Sequence, residues 1–97
     1  MTRVAVAGAT GYAGAELVRL LAGHPKVRLT LLTSRKYAGE RFDDIFPAFR
    51  RRVSLRCKAF SADLLSREAD VVFLALPHKI PMEAVPELLL KGCKVID

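Results

Sequence analysis

Nothing in this 97-residue chain approaches the roughly 20 consecutive apolar residues that a helix needs to cross a bilayer. No secretory leader is expected either: Met1 runs directly into the apolar Val4-Ala5-Val6-Ala7, with no basic start and no small-residue cleavage pattern. The default expectation is a cytoplasmic protein with no membrane partner. Cysteine is scarce. Cys57 and Cys93 are the two present, too far apart in sequence for metal-ligand spacing and too few for a secreted disulfide framework. Both lie in apolar, strand-like surroundings and read as buried reduced thiols; no metal site is expected. The chain also lacks internal repeats, low-complexity tracts and linker-like stretches, and its length allows one domain with a modest core.

The composition is that of a folded protein, with 52% hydrophobic residues. The formal net charge is +6, and five of the sixteen basic residues are Arg50, Arg51, Arg52, Arg56 and Lys58. A basic run of this kind can attract nucleic acid. It has no interleaved aromatic residues to stack bases and no helix-turn-helix or zinc-finger spacing, so a solvated basic face is the expectation and nucleic acid is not an expected partner.

Short β-branched runs alternate with amphipathic stretches. Arg3 to Ala7 reads as a buried strand. Tyr12 to Ala22 reads as a helix, with Ala13, Leu17, Leu20 and Leu21 on one face and Gly23-His24-Pro25 to stop it. Val27 to Thr33 is a second strand. Ser34 to Phe49 reads as a long loop with room for a short helical turn. Val53 to Phe60 alternates apolar and polar residues and is read as a third, half-exposed strand. Ser61 is placed to cap a short helix through Arg67. Asp70 to Leu76 is a continuous apolar run, expected as a fourth, central strand. Met82 to Lys91 is a second long helical pattern, with Pro86 near its first turn. Cys93 to Ile96 starts a fifth strand. Strands alternating with helices predict an α/β fold, a Rossmann-type parallel sheet with helices on both faces, truncated after about five strands. Residues 1–97 are expected to be one domain and a fragment, because the chain ends at Asp97 directly after a strand and leaves that edge of the sheet uncovered.

The strongest motif is Gly8-Ala9-Thr10-Gly11-Tyr12-Ala13-Gly14, which follows a strand and opens a helix. The first glycine permits a sharp exit from the strand, the second a close approach of backbone to a pyrophosphate, and the third tight packing of helix on sheet. The helix N-terminus then offers free N–H groups to the phosphates. A carboxylate about 20 residues further on would bind the ribose hydroxyls of NAD. Here that position is Ser34, followed by Arg35 and Lys36, a hydroxyl and two cations suited to an additional phosphate. The expected cofactor is NADP; ordinary solvated loop charges are the alternative. Ala75-Leu76-Pro77-His78 falls at the carboxyl end of the fourth strand, where ligands of open α/β sheets sit. With no Ser, Cys or Asp partner near it in sequence, His78 is read as positioning or structural rather than as an acid–base group.

Taken together, the opening V-A-V-A-G-A-T-G-Y-A-G-A-E-L-V-R-L-L, His24-Pro25, Thr33-Ser34-Arg35 with Ala38-Gly39, D-V-V-F-L-A-L-P-H and the terminal K-V-I-D resemble the N-acetyl-gamma-glutamyl-phosphate reductase family along the whole chain. The glycine turn alone is shared with other reductases; its combination with A-L-P-H is far more specific. Lys79 departs from the family, which usually has glycine after that histidine. The resemblance implies an oxidoreductase of arginine biosynthesis that reduces N-acetylglutamyl 5-phosphate to the semialdehyde with NADPH. In the family a cysteine thiolate displaces phosphate and the resulting thioester receives hydride. It also implies cofactor contacts from Gly8, Thr10, Gly11, Tyr12, Ala13 and Gly14, a grip on the 2′-phosphate by Ser34 and Arg35, and a cofactor-lining role for Leu76, Pro77 and His78. The family's nucleophilic cysteine falls beyond Asp97, so no catalytic role is assigned to Cys57 or Cys93. The full-length protein is expected to act on a small acyl phosphate as a homo-oligomer, and the 97-residue chain alone to be inactive. Two alternatives remain: a lysine-pathway reductase of an aminoadipyl phosphate, and a non-catalytic NADP-sensing module.

Overall fold

The computed structural model describes residues 1–76 and 84–96. The chain runs β1 (Thr2–Ala7), α1 (Tyr12–Ala22), β2 (Val27–Thr33), α2 (Phe42–Ile45), a 3-10 turn (Pro47–Phe49), α3 (Ala62–Glu68), β3 (Val71–Leu74), α4 (Ala84–Leu90) and β4 (Lys94–Ile96). The four strands form one parallel sheet in the order β2-β1-β3-β4. The chain moves outward from β1 to β2 and then returns to the other side of β1 to lay down β3. That reversal is the switch point of a doubly wound sheet, and it places a crevice beyond the carboxyl ends of β1 and β3.

Strand alternation divides the core between the two faces. Ala5, Ala7 and Leu31 pack with Leu65, Val72 and Leu88 in one cluster, while Val6 and Leu32 pack with Val18, Phe42, Val53 and Cys57 in the other. Neighbours along β1 and β2 thus face opposite ways, as a pleated strand requires, and each face is covered by helix, α1 on one and α3 with α4 on the other. Cys57 and Cys93 belong to different clusters, so the sheet itself separates the two thiols. Ser61 caps α3 as its sequence suggests, its side chain accepting from the Leu64 N–H at 3.2 Å. At the opposite end of the sheet from the crevice, Arg3 grips Asp70 with its guanidinium at 3.1 Å and the Arg67 carbonyl at 3.2 Å.

The expected strand over Val53 to Phe60 does not form, so the sheet has four strands among the described residues rather than about five, and the run at Asp70 becomes β3. The backbone of this segment is divided between two partners. Arg56 bridges Arg41 in antiparallel sense and Lys58 bridges Thr33 in parallel sense. Cys57 donates to the Glu40 carbonyl at 2.7 Å and accepts from the Gly39 N–H at 2.8 Å. With its hydrogen-bonding groups committed to the loop before it, the segment reaches β2 only around Lys58 and cannot extend a ladder. Its alternation still reports burial, since Val53 and Cys57 point into the core. The loop after β2 contains the short α2, anchored by Phe42, Phe46 and Phe49 with ring centroids 5.0 to 6.3 Å apart. No helix among the described residues is long and apolar enough to cross a membrane.

Candidate functional site

The turn between β1 and α1 sits on the switch point. Gly8 has φ +82°, a conformation that side chains disfavour, and a Cβ there would lie 2.7 Å from the Ala75 carbonyl oxygen and 3.1 Å from Leu76 Cδ2. Gly14 is buried, and a Cβ on it would meet the Gly8 carbonyl oxygen at 2.0 Å. The fold itself therefore demands glycine at both positions. Gly11 is different. Its φ is −78°, open to any residue, and among the described residues a Cβ would touch only the Gly8 oxygen at 3.7 Å, an ordinary contact. Packing among the described residues does not require a glycine here, whereas a ligand seated against the backbone would favour one.

Gly11 is the N-cap of α1 and provides no side-chain cap, and the first turn carries no acidic residue. Ala15 donates to the Gly11 carbonyl at 2.8 Å, so the helix begins in register directly after the turn. The N–H groups of Tyr12, Ala13 and Gly14 have no acceptor among the described residues, as expected for a helix start. Gly11, Tyr12 and Ala13 are exposed. The result is an open cradle of donors at the positive end of the helix dipole. Beside it, Thr10, Gly11, Tyr12 and Ala15 form one wall of a mostly apolar groove of about 380 Å³, with Phe46 and Phe49 on its other side. Its polar rim is the Glu16–Arg19 ion pair, in which the hydrogen bond from Arg19 lowers the carboxyl pKa of Glu16.

The carboxyl end of β2 is stitched to this turn. The Thr33 carbonyl accepts from the N–H groups of Gly8 at 3.1 Å and Ala9 at 2.9 Å, and Thr33 Oγ1 lies 3.3 Å from the Gly8 nitrogen. Ser34 is 2% exposed; its hydroxyl lies 2.8 Å from Thr10 Oγ1 and accepts from the Tyr37 N–H at 3.0 Å. Arg35 and Lys36 project into solvent, with Lys36 Nζ 5.4 Å from the Tyr37 ring centroid. Of the positions singled out from sequence, Gly8, Thr10, Gly11, Tyr12, Ala13, Gly14, Ser34, Arg35 and half-buried Leu76 thus gather at the carboxyl ends of the first three strands. Pro77, His78 and Lys79 lie outside the described residues.

One residue of this neighbourhood escaped sequence reasoning. Lys58, read there as part of a solvated basic face, is exposed but docked beside the end of β2: its carbonyl accepts from the Ser34 N–H and its N–H donates to the Leu32 carbonyl, both at 2.9 Å. No local signal marks this, because Lys58 lies 24 positions after Ser34 and 26 after Leu32 in the chain. The two cysteines are buried, and burial raises both thiol pKa values; neither is close to being a thiolate at neutral pH.

The residues present fit a dinucleotide: open amides for a pyrophosphate, a glycine at the helix start with no close neighbour among the described residues, and no carboxylate at the end of β2 to repel a further phosphate. Comparison with known proteins agrees. The N-acetyl-gamma-glutamyl-phosphate reductase of Desulforapulum autotrophicum is 47% identical over 97 residues, all of this chain and 28% of that protein; that of a Janthinobacterium species is 52% identical over 99 residues, again 28% of its length. The LysW-L-2-aminoadipate/LysW-L-glutamate phosphate reductase of Sulfurisphaera tokodaii is 48% identical over the whole chain, also 28% of its length. This chain therefore spans little more than a quarter of these relatives. Among solved structures, an aspartate semialdehyde dehydrogenase with NADP from Candida albicans superposes with a TM-score of 0.80 at 23% identity, covering 98% of this chain and 28% of that one, which shows a shared fold. The family model described as the semialdehyde dehydrogenase NAD binding domain matches residues 3–97, and the chain belongs to that family.

Proposed function

We propose that this chain is the NADP-binding N-terminal part of a reductase that converts N-acetylglutamyl 5-phosphate to its semialdehyde. The observation that carries the reading is the convergence at one switch point of an open N–H cradle, a glycine with no close neighbour among the described residues, and a carboxylate-free turn bearing Arg35 and Lys36. Identity close to one half with named reductases of that substrate, along the entire chain, supports the choice of reaction. The Candida albicans enzyme, whose structure holds NADP, supports the choice of cofactor class.

In this reading the amides of Tyr12, Ala13 and Gly14 receive the pyrophosphate, and Gly11 leaves room for it. Arg35 presents its planar fork to the 2′-phosphate, with the charges of Lys36 and Lys58 alongside. Leu76, with Pro77 and His78 following it in sequence, borders the side of the crevice toward the nicotinamide. When bound, the cofactor supplies the hydride; the chain's own work is to bind and orient it. The nucleophile and the substrate pocket are assigned to the remainder of the relatives' length, so the 97-residue chain alone should show no turnover. Calorimetric titration tests the cofactor claim: NADP should bind more tightly than NAD, and Arg35→Asp should reverse the order. Equal affinities in the wild-type chain would remove the role given to Arg35.

A second reading has its own observation. The lysine-pathway relative from Sulfurisphaera tokodaii matches as closely, at 48%, so a carrier-bound aminoadipyl phosphate is the competing substrate. Assaying a full-length protein containing this chain with each acyl phosphate separates the two.

A further inference from the structure

Among the described residues the glycine turn and the turn after β2 are joined by a side-chain hydrogen bond between two hydroxyls. Thr10 Oγ1 and Ser34 Oγ lie 2.8 Å apart. Ser34 is almost wholly buried, and its oxygen also receives the Tyr37 N–H at 3.0 Å, closing a serine-capped turn over residues 34–37. The Tyr37 ring in turn carries the Lys36 ammonium at 5.4 Å from its centroid. A hydroxyl has one proton and two lone pairs. With one lone pair occupied by Tyr37, the bond to Thr10 fills a second place on Ser34 and leaves little of the hydroxyl facing outward. The contacts run from Thr10 to Ser34, from Ser34 to Tyr37 and from Tyr37 to Lys36, with Arg35 enclosed between the ends of that turn.

We infer that Thr10 is a positioning residue for cofactor discrimination: through the Ser34 hydroxyl it holds the turn bearing Arg35 and Lys36 against the glycine turn, so that seating a pyrophosphate and gripping a phosphate ester on the adenosine ribose are coupled. The inference rests on the proposed reading that this turn receives that phosphate. It differs from a direct-contact role for Ser34, under which Thr10 would shape the pyrophosphate turn alone and would affect NADP and NAD equally.

The test is a thermodynamic cycle on the 97-residue chain, titrating NADP and NAD separately. Thr10→Val keeps the side-chain shape and removes the hydroxyl; it should weaken NADP about fivefold and NAD less than about twofold, the size of one lost hydrogen bond. Ser34→Ala should weaken NADP less in the Thr10→Val background than in the wild type, because the bond between the two hydroxyls is then already lost. Thr10→Ser, which retains the hydroxyl, should keep the wild-type ratio of affinities. If thermal melting shows that Thr10→Val does not fold, Thr10→Ala carries the same expectation with no added bulk. Equal weakening of both dinucleotides, no change in either, fully additive losses, or loss of the ratio in Thr10→Ser would each overturn the coupling. A wild-type chain indifferent between NADP and NAD would instead sink the reading of the Arg35 turn, and the coupling with it.

Discussion

Three glycines share one turn, and the structure gives them different reasons. At Gly14 an added methyl would sit 2.0 Å from the Gly8 oxygen, so Gly14→Ala has to push α1 off the sheet. Overpacking of that kind should cost at least about 3 kcal/mol, a large share of a small domain's stability. At Gly11 the same change meets nothing among the described residues closer than 3.7 Å and loses only a modest cap preference, less than about 1 kcal/mol. Gly11→Ala should therefore melt near the wild-type temperature yet bind dinucleotide at least about tenfold more weakly, because in the proposed reading the methyl takes the place of the phosphates. Parallel thermal melts and titrations decide it: a Gly11→Ala chain that binds normally would return that glycine to mere chance.

At the scale of elements, the long excursion between β2 and α3 is the part least supported by regular structure. It is held by the Phe42-Phe46-Phe49 cluster and by Asp43, whose carboxylate is 4% exposed and takes both arms of Arg41 at 3.0 and 2.8 Å. That hydrogen bond, with the charge of Arg41 behind it, lowers the Asp43 pKa from its ordinary 3.8 against the opposing effect of burial. Asp70 is lowered likewise by its bonds to Arg3, and Glu16 by Arg19. A carboxylate whose folded pKa is depressed contributes stability that is complete above its unfolded pKa and is lost as pH falls through the folded one. The melting temperature should thus be insensitive to these groups above about pH 5 and fall once pH drops below about 4. Asp43→Asn should be less stable at neutral pH, with a shallower acid decline. A variant whose acid profile superimposes on the wild type would show that the Arg41 fork contributes nothing.

Over the whole molecule, sixteen basic residues against ten acidic ones leave a formal charge of +6. Exposed Arg35, Lys36 and Lys58 lie at the crevice end of the sheet. A dinucleotide is an anion, and NADP carries one phosphate more than NAD. Screening shortens the reach of exposed charges to about 3 Å at 1 M salt, from about 10 Å at 0.1 M. Raising salt across that range should weaken NADP binding more steeply than NAD binding and narrow the ratio between them. Parallel salt dependences for the two would mean that the positive field acts on the shared pyrophosphate and not on the additional phosphate.

Much of this was legible in the residues alone, for local reasons. Helix α1 and strand β2 follow from periodicity and from Gly23-His24-Pro25, and the α3 cap from Ser61, because such signals act within a few neighbours. The glycine turn is equally local. What the sequence could not display was which chain segments become neighbours. The alternation at Val53 to Phe60 is a true record of burial, yet tertiary contacts with residues 39–42 took its hydrogen bonds and denied it a place in the sheet. The same long-range pairing set Lys58 beside Ser34, and the return of the chain to β3 set Leu76 against Gly8. The turn's chemistry was written in its own residues; the bond between Thr10 and Ser34, far apart in the chain, exists only because parallel pairing of β1 with β2 brings their carboxyl ends together.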